Sequence, residues 1–261
     1  MKLYSLWDTG EENAPDLVRR VFDRWRALNP NHELIVYDGP AMEEFLAPTG
    51  VDLRPLRIQA KSNFLRVKLL AEKGGVWVDA TLLPVVPLDD WLPQLLEPAG
   101  FFTFRRDGFD RKMGTWFLAS DGKCRLPALW LEEMKRYHAQ PRQIANEKSL
   151  LWRLRRRGDY MSTITTGGPR RRYPYFWVFY LFEKLVTTNP EAAAIWKDVP
   201  VWPVLPTHAL AHARYMLKME DPEFIAALPY LLRTAPIQKL DWRKSWPDEV
   251  FTPMDPASVI H

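Results

Sequence analysis

The apolar positions of residues 61–83 change their period partway along. Phe64, Val67 and Ala71 fall on one helical stripe, and Leu65, Leu69 and Leu70 widen it. Gly74 and Gly75 then stop the helix, because the left-handed turn after a helix end suits a residue without a Cβ. Val76, Trp77 and Val78 are strand formers, and Asp79 sets a carboxylate where that strand ends. In open α/β sheets ligands gather at the carboxyl ends of strands, so Asp79 is the first candidate for chemistry.

The pattern extends in both directions. Residues 2–7 alternate and predict a first strand. Pro15 opens a helix over about 15–28, striped by Leu17, Val18, Val21, Phe22, Trp25 and Leu28. Glu33–Tyr37 reads as a second strand, and strand–helix–strand with short turns predicts a parallel pair with a right-handed crossover. A short helix is expected at 41–47 and irregular chain at 48–57. After Asp79, residues 82–87 read as extended, with Pro84 and Pro87 unsuited to a central ladder. A short helix is expected at 89–96, and residues 101–105 and 115–119 read as a hairpin around a loop at 106–110. Helices are predicted at 125–139 and 145–156, the second ending in a basic triplet at Gly158. A turn-rich stretch at 163–169 leads to a third helix from Tyr173, apolar nearly all round, which implies core burial or a lipid-facing patch. Residues 199–206 are extended and proline-rich. His208 and His212 share a face if helical, a spacing that suits either a metal or two surface histidines. The chain thus reads as α/β: one domain over residues 1–246, with a flexible tail at 247–261.

Composition narrows the class. The 261 residues are 47% hydrophobic, enough for a sizeable core and against global disorder. Cys124 stands alone, so no internal disulfide or cysteine zinc site can form. Asp8 interrupts the N-terminus before an apolar run develops, which argues against a signal peptide, and the apolar run at 175–182 is far shorter than the ~20 residues of a spanning helix. A cytoplasmic location is expected. The net charge of +4 is clustered at Arg105-Arg106, Arg155-Arg156-Arg157 and Arg170-Arg171-Arg172. Solvated faces, anionic phosphates and an anionic membrane surface, the inner face of the cell membrane, are the competing readings. No nucleic-acid motif accompanies the charge, so nucleic acid is not expected as a partner.

Ser62-Asn63, Leu65-Arg66 and the run Gly74-Gly75-Val76-Trp77-Val78-Asp79-Ala80-Thr81 resemble the donor region of glycosyltransferases with a DXD motif, and most closely the capsular polysaccharide synthesis protein family. The resemblance implies the GT-A fold, a Rossmann-like, mostly parallel central sheet flanked by helices with a small antiparallel addition. It implies a hexosyltransferase that moves sugar from a nucleotide-diphosphate donor, expected to be a UDP-sugar, to a surface polysaccharide or lipid-linked glycan, with retention of configuration. It assigns Asp79 and Arg66 to catalysis, and Ser62, Asn63, Gly75, Trp77, Ala80 and Thr81 to substrate. Leu6 and Trp7, at the end of the first strand, are expected beside the nucleotide base, although Trp7 also suits a half-buried strand position. Lys239, in a C-terminal Lys-Leu element, is expected at the donor pyrophosphate.

Two departures matter. Asn63 stands where the family usually has Asp, and Pro174 replaces the Asp of its aromatic segment. A divalent cation, Mn2+ or Mg2+, is expected on Asp79 and Thr81, since such ions bind through one or two carboxylates plus diphosphate. Thr81 is a weak ligand at the usual position of a second acid. Either another residue completes the metal site, or Arg66 and Lys239 carry the charge and metal matters little. The substitutions also leave open a scaffold without turnover that binds glycan or lipid in a polysaccharide-assembly complex. Asp79 as a simple turn cap is the bland alternative.

Overall fold

The computed structural model describes residues 1–106, 110–140, 143–144, 150–170 and 172–252, with the backbone alone at 143–144, 150–154 and 172. β1 (Lys2–Leu6) leads through α1 (Asp16–Leu28) to β2 (Glu33–Tyr37). Asp38 Oδ1 accepts from Ala41 N at 2.7 Å and caps α2 (Gly39–Leu46). α3 (Ile58–Lys73) then feeds β3 (Gly75–Val78) and β4 (Leu82–Pro84). α4 (Leu92–Leu96), β5 (Phe101–Phe102), β6 (Phe117–Ser120) and α5 (Leu126–His138) follow. Further on come β7 (Gln143–Ile144), α6 (Leu150–Thr166), β8 (Arg172–Tyr173), α7 (Trp177–Thr188) and α8 (Pro190–Asp198). The single turn α9 (Ala209–Ala211), α10 (Asp221–Leu232) and β9 (Ile237–Lys239) complete the regular elements used below.

The central sheet has the order β2-β1-β3-β6-β5. β1 runs parallel to β2 and β3, with Leu3 opposite Val76 and Tyr4 opposite Trp77. β6 is antiparallel to both β3 and β5. This is the α/β class expected, mostly parallel with an antiparallel addition from the 101–120 hairpin. A second pair, β4 with β9, is antiparallel and sets Leu82 opposite Lys239. β7 and β8 pair in parallel as a third, two-stranded unit.

The strand period sorts the core into two layers. Tyr4, Trp77 and Leu118 point to one face, where α3, α5, α7 and α8 cover them. Leu3, Val76, Val78, Phe117 and Ala119 point to the other, where they meet α1, α4, α9, α10, β4 and β9. β3 is buried along its whole length, so Asp79 emerges from the centre of the sheet.

The Gly74-Gly75 stop is used twice over. Gly74 has φ +63° and Gly75 φ +93°. A Cβ on Gly75 would meet the Lys2 carbonyl at 2.5 Å. Gly75 therefore serves the approach of β3 to β1, and it is not among the residues that line the crevice.

Several boundaries differ from those read in the sequence. α3 begins at Ile58, so Asn63 and Arg66 lie in its second and third turns and not at its N-terminus. α6 runs through Gly158 to Thr166, because Asp159 and Thr163 are buried on a face packed against α7, and tertiary packing outweighs one glycine. Residues 82–84 form a ladder despite Pro84, since β4 is an edge pair outside the main sheet. The tail expected from Pro247 starts as ordered chain: Asp248–Phe251 makes a 3-10 turn, Val250 is buried, and Arg20 bonds Asp248 Oδ1 at 2.6 Å. Residues 253–261 lie outside the described residues, as do Arg171 and residues 107–109 of the hairpin loop. No described helix is long and apolar enough to cross a membrane.

Candidate active site

A crevice of about 740 Å³ opens at the carboxyl ends of β1 and β3. β1 delivers Leu6 and Trp7; α3 delivers Ser62 and Arg66; β3 and its following turn deliver Trp77, Asp79, Ala80 and Thr81; β9 and the chain after it deliver Lys239 and Trp242. Of the residues proposed from sequence, all but Asn63 and Gly75 meet here. Asn63 lines an adjoining cavity of about 420 Å³, which shares Gln59, Arg66, Asp79 and Tyr175 with the first. Aromatic residues wall this second cavity, among them Tyr173, Tyr175, Phe176 and Trp177. Asp79 stands at the junction of the two.

The Asp79 carboxylate is held from both sides. Oδ1 accepts from Trp77 Nε1 at 3.0 Å and lies 3.4 Å from Arg66 Nη2. Oδ2 accepts from Lys239 Nζ at 3.2 Å. Burial pushes the carboxyl up, but Lys239 and Arg66, with the indole N–H, outweigh it, and the group ends below its usual range. The Asp79 side chain keeps a quarter of its surface open. Its backbone joins the sheet to the turn that follows: Asp79 N donates to Trp116 O at 2.9 Å, and Asp79 O accepts from Leu82 N at 2.8 Å across the turn. The turn is closed by backbone alone, and the carboxylate's partners are side chains, so it is not a turn cap.

Arg66 is built into the fold more than expected of a phosphate ligand. Nε donates to Ser62 O at 3.2 Å, Nη2 to Ser62 Oγ at 2.8 Å and Nη1 to Thr115 O at 2.6 Å. The guanidinium also lies over the Trp77 ring at 4.9 Å. Burial pulls its pKa down while the Asp79 charge opposes this. Little donor capacity remains for a ligand, so Arg66 chiefly fixes Asp79, and Ser62 fixes Arg66.

Lys239 is brought to Asp79 by the β4–β9 register, since Leu82 pairs with Lys239 and Leu240 N donates to Thr81 O at 2.9 Å. Its ammonium donates to Thr81 Oγ1 at 2.6 Å as well as to Asp79. The two oxygens expected to hold a metal thus already share a cation. Among the described residues no group of three His, Cys, Asp or Glu converges to hold a metal ion. Asp8 and Asp241 also line the crevice but do not converge with Asp79 into such a group, and Asp79, paired with two cations, is by itself a poor donor for Mn2+ or Mg2+, which want several oxygen ligands.

Sequence reasoning missed four contributors. Trp242 packs edge-on against Trp7 at 5.7 Å, and Arg243 lies over Trp242 at 5.3 Å. Tyr175 reaches both cavities. His208 lines the crevice with Nδ1 3.0 Å from Thr207 Oγ1; burial, first of all, lowers its pKa. His212 is exposed and starts a π-helical turn, and among the described residues neither histidine joins a group of three metal-ligating side chains. The aromatic neighbours of Lys239-Leu240 were the signal for Trp242. The basic clusters also split: Arg105 bonds the Trp196 and Val199 carbonyls at 2.6 and 2.7 Å, and Arg156 pairs with buried Asp110 at 2.8 Å, whereas Arg155, Arg157 and Arg170 are exposed.

A crevice at the strand ends, carrying one acid at the end of a buried strand, two cations fixed on it and an aromatic pair, stands where open α/β sheets place their ligands. The family model described as capsular polysaccharide synthesis protein matches residues 1–146, more than half of the chain, and the chain belongs to that family. Among solved structures the PaToxG glycosyltransferase is similar, at 12% identity and a TM-score of 0.44, covering 75% of this chain and 74% of that one. No curated protein matches. The matched segment contains Arg66 and Asp79, and it stops before Lys239 and Trp242.

Proposed function

We propose that the chain is a glycosyltransferase, moving a hexosyl group from a nucleoside-diphosphate sugar, with UDP the expected nucleotide, to a surface polysaccharide or lipid-linked glycan. The observation that carries this is the meeting of two cavities at Asp79: one lined by charged side chains of both signs beside the Trp7–Trp242 pair, the other walled by aromatic rings. In this reading the base enters beside Trp7 and Trp242, and the diphosphate faces Lys239 and Arg243. The sugar then lies over Asp79. The acceptor comes from the aromatic cavity, whose rings suit a pyranose face and whose Asn63 and Gln59 amides suit its hydroxyls.

Transfer breaks the bond from the anomeric carbon to the diphosphate oxygen, which leaves with the electron pair. An acceptor hydroxyl oxygen forms the new bond. With retention, the acceptor attacks from the face the diphosphate leaves, so the departing phosphate oxygen takes the hydroxyl proton. Positive charge grows at the anomeric carbon and negative charge on the diphosphate. Asp79 stabilises the first and Lys239 the second, from positions held before reaction. Contact with an anionic membrane surface falls to the exposed Arg155 and Arg170, since Arg105 and Arg156 are engaged inside the fold.

A panel of nucleotides and nucleotide sugars, read by thermal shift, tests the reading. A ligand that binds only the folded state raises its melting temperature. One nucleoside diphosphate and its sugar should do so, and Trp242→Ala should weaken the shift. A flat panel, together with tight vesicle binding, would favour the scaffold.

A further inference from the structure

Thr81 Oγ1 and Asp79 Oδ2 face each other across a gap that one positive group fills. That group is Lys239 Nζ, 2.6 Å from the hydroxyl and 3.2 Å from the carboxylate. The other carboxylate oxygen is already taken by Trp77 and Arg66. Lys239 is not a loose surface side chain. Its backbone is pinned in β9 opposite Leu82, and the neighbouring Leu240 N–H is bonded to Thr81 O. A divalent cation in the same gap would have to expel the ammonium. It would then find one carboxylate and one hydroxyl, with Arg66 close by as a repelling charge. The identity of residue 81 matters for this arrangement: a second acid there would add the charge that favours a metal, whereas threonine accepts one hydrogen bond and adds none.

We propose that Lys239 is the resident cation of this site: its ammonium takes the place between residues 79 and 81 that a divalent metal would occupy, and binds the donor diphosphate directly. The inference rests on the crevice being the donor site. Asp79 and Thr81 orient Lys239, leaving its third N–H for a phosphate oxygen, because a lysine carries three donors. Arg243, on the same wall, adds a second positive group. Charge that develops on the leaving diphosphate meets a fixed ammonium, so the donor is held and released without metal exchange.

The test uses the full chain and UDP as probe, by calorimetry with excess Mn2+ or with EDTA, and follows bound Mn2+ by electron paramagnetic resonance. Parent protein should bind UDP within about twofold the same in both conditions, the twofold being ~0.4 kcal/mol. Lys239→Met should lose about 10- to 100-fold in UDP affinity, as expected when a charged hydrogen bond of ~1.5–3 kcal/mol is removed, and Mn2+ should not restore it. Lys239→Arg keeps the charge and should retain most of the affinity, which separates loss of charge from misfolding. The paired substitution Thr81→Asp with Lys239→Met should acquire a bound Mn2+ signal and bind UDP only when Mn2+ is present. Parent protein whose UDP affinity rises about tenfold or more with Mn2+, in a manner abolished by Asp79→Asn, would overturn the inference while leaving the donor site intact. No nucleoside diphosphate of the panel, UDP included, bound under either condition would instead remove the donor-site reading, and the direct diphosphate contact with it.

Discussion

Replacing Arg66 by alanine separates two roles for that guanidinium. Arg66 is 7% exposed and makes three hydrogen bonds to Ser62 and Thr115, besides its 3.4 Å pairing with Asp79. Breaking a buried pair by removing one partner costs about 3–5 kcal/mol when the remaining charge is left alone. Asp79 keeps Lys239 and the Trp77 indole and is a quarter open, so the lower end applies: about 3 kcal/mol. For a chain of this size that corresponds to a melting temperature lower by roughly 6–12 °C. Urea unfolding at pH 7 measures it as a shift in midpoint at constant slope. The pH dependence follows from Asp79. Its folded-state pKa is depressed below the ordinary aspartate value, so the associated stability is present above that ordinary value and is lost as pH falls through the folded value. Arg66→Ala removes one cause of the depression, so the variant should show a smaller loss of stability between neutral and acid pH than the parent. A variant within about 1 kcal/mol of the parent, with an unaltered acid limb, would refute the structural role and return Arg66 to the ligand.

Gly75→Ala should destabilise by about 2–3 kcal/mol, through its positive φ and a Cβ 2.5 Å from the Lys2 carbonyl, measured by the same unfolding series. Gly158→Ala should stabilise by about 0.5–1 kcal/mol, because the site is helical, exposed and open around the added methyl group, and a thermal melt reports it. Trp242→Ala should weaken UDP binding by about 1–3 kcal/mol, the range for base–aromatic stacking, in calorimetry, with little change in stability, since this ring is 42% exposed.

Legibility of the molecule in its sequence followed the range of the interactions. The α3–Gly-Gly–β3–Asp79 unit was readable because helix stripe, stop and buried strand are local patterns within about two dozen residues, each with its own physical cause. The first parallel pair was readable for the same reason. The extent of α6 was not, because Gly158 and the basic triplet look like a stop, and only the packing of Asp159 and Thr163 against α7 continues the helix. The central geometry of the site was legible only in part. Lys239 was named by resemblance, but its bond to Thr81 depends on the pairing of β4 with β9 across 158 residues, a contact that no periodicity reports. Trp242 and Tyr175 reach the crevice from chain far from Asp79. Arg66 lies in the third turn of α3, where Ser62 one turn before it and the Thr115 carbonyl from distant chain take its donors, and no local pattern reports the second of these.

The most direct test of the account is donor turnover by Asp79→Asn. This variant should remain folded but lose some stability, since Arg66 and Lys239 lose their charge partner. The measurement is UDP release from the nucleotide sugar that binds, for parent and variant, at a temperature where circular dichroism shows both folded. The account predicts slow release by the parent and a fall of about 100-fold or more in the variant, the scale of losing one preorganised electrostatic contact, while UDP still binds. A folded Asp79→Asn protein that releases UDP at near the parent rate would contradict it.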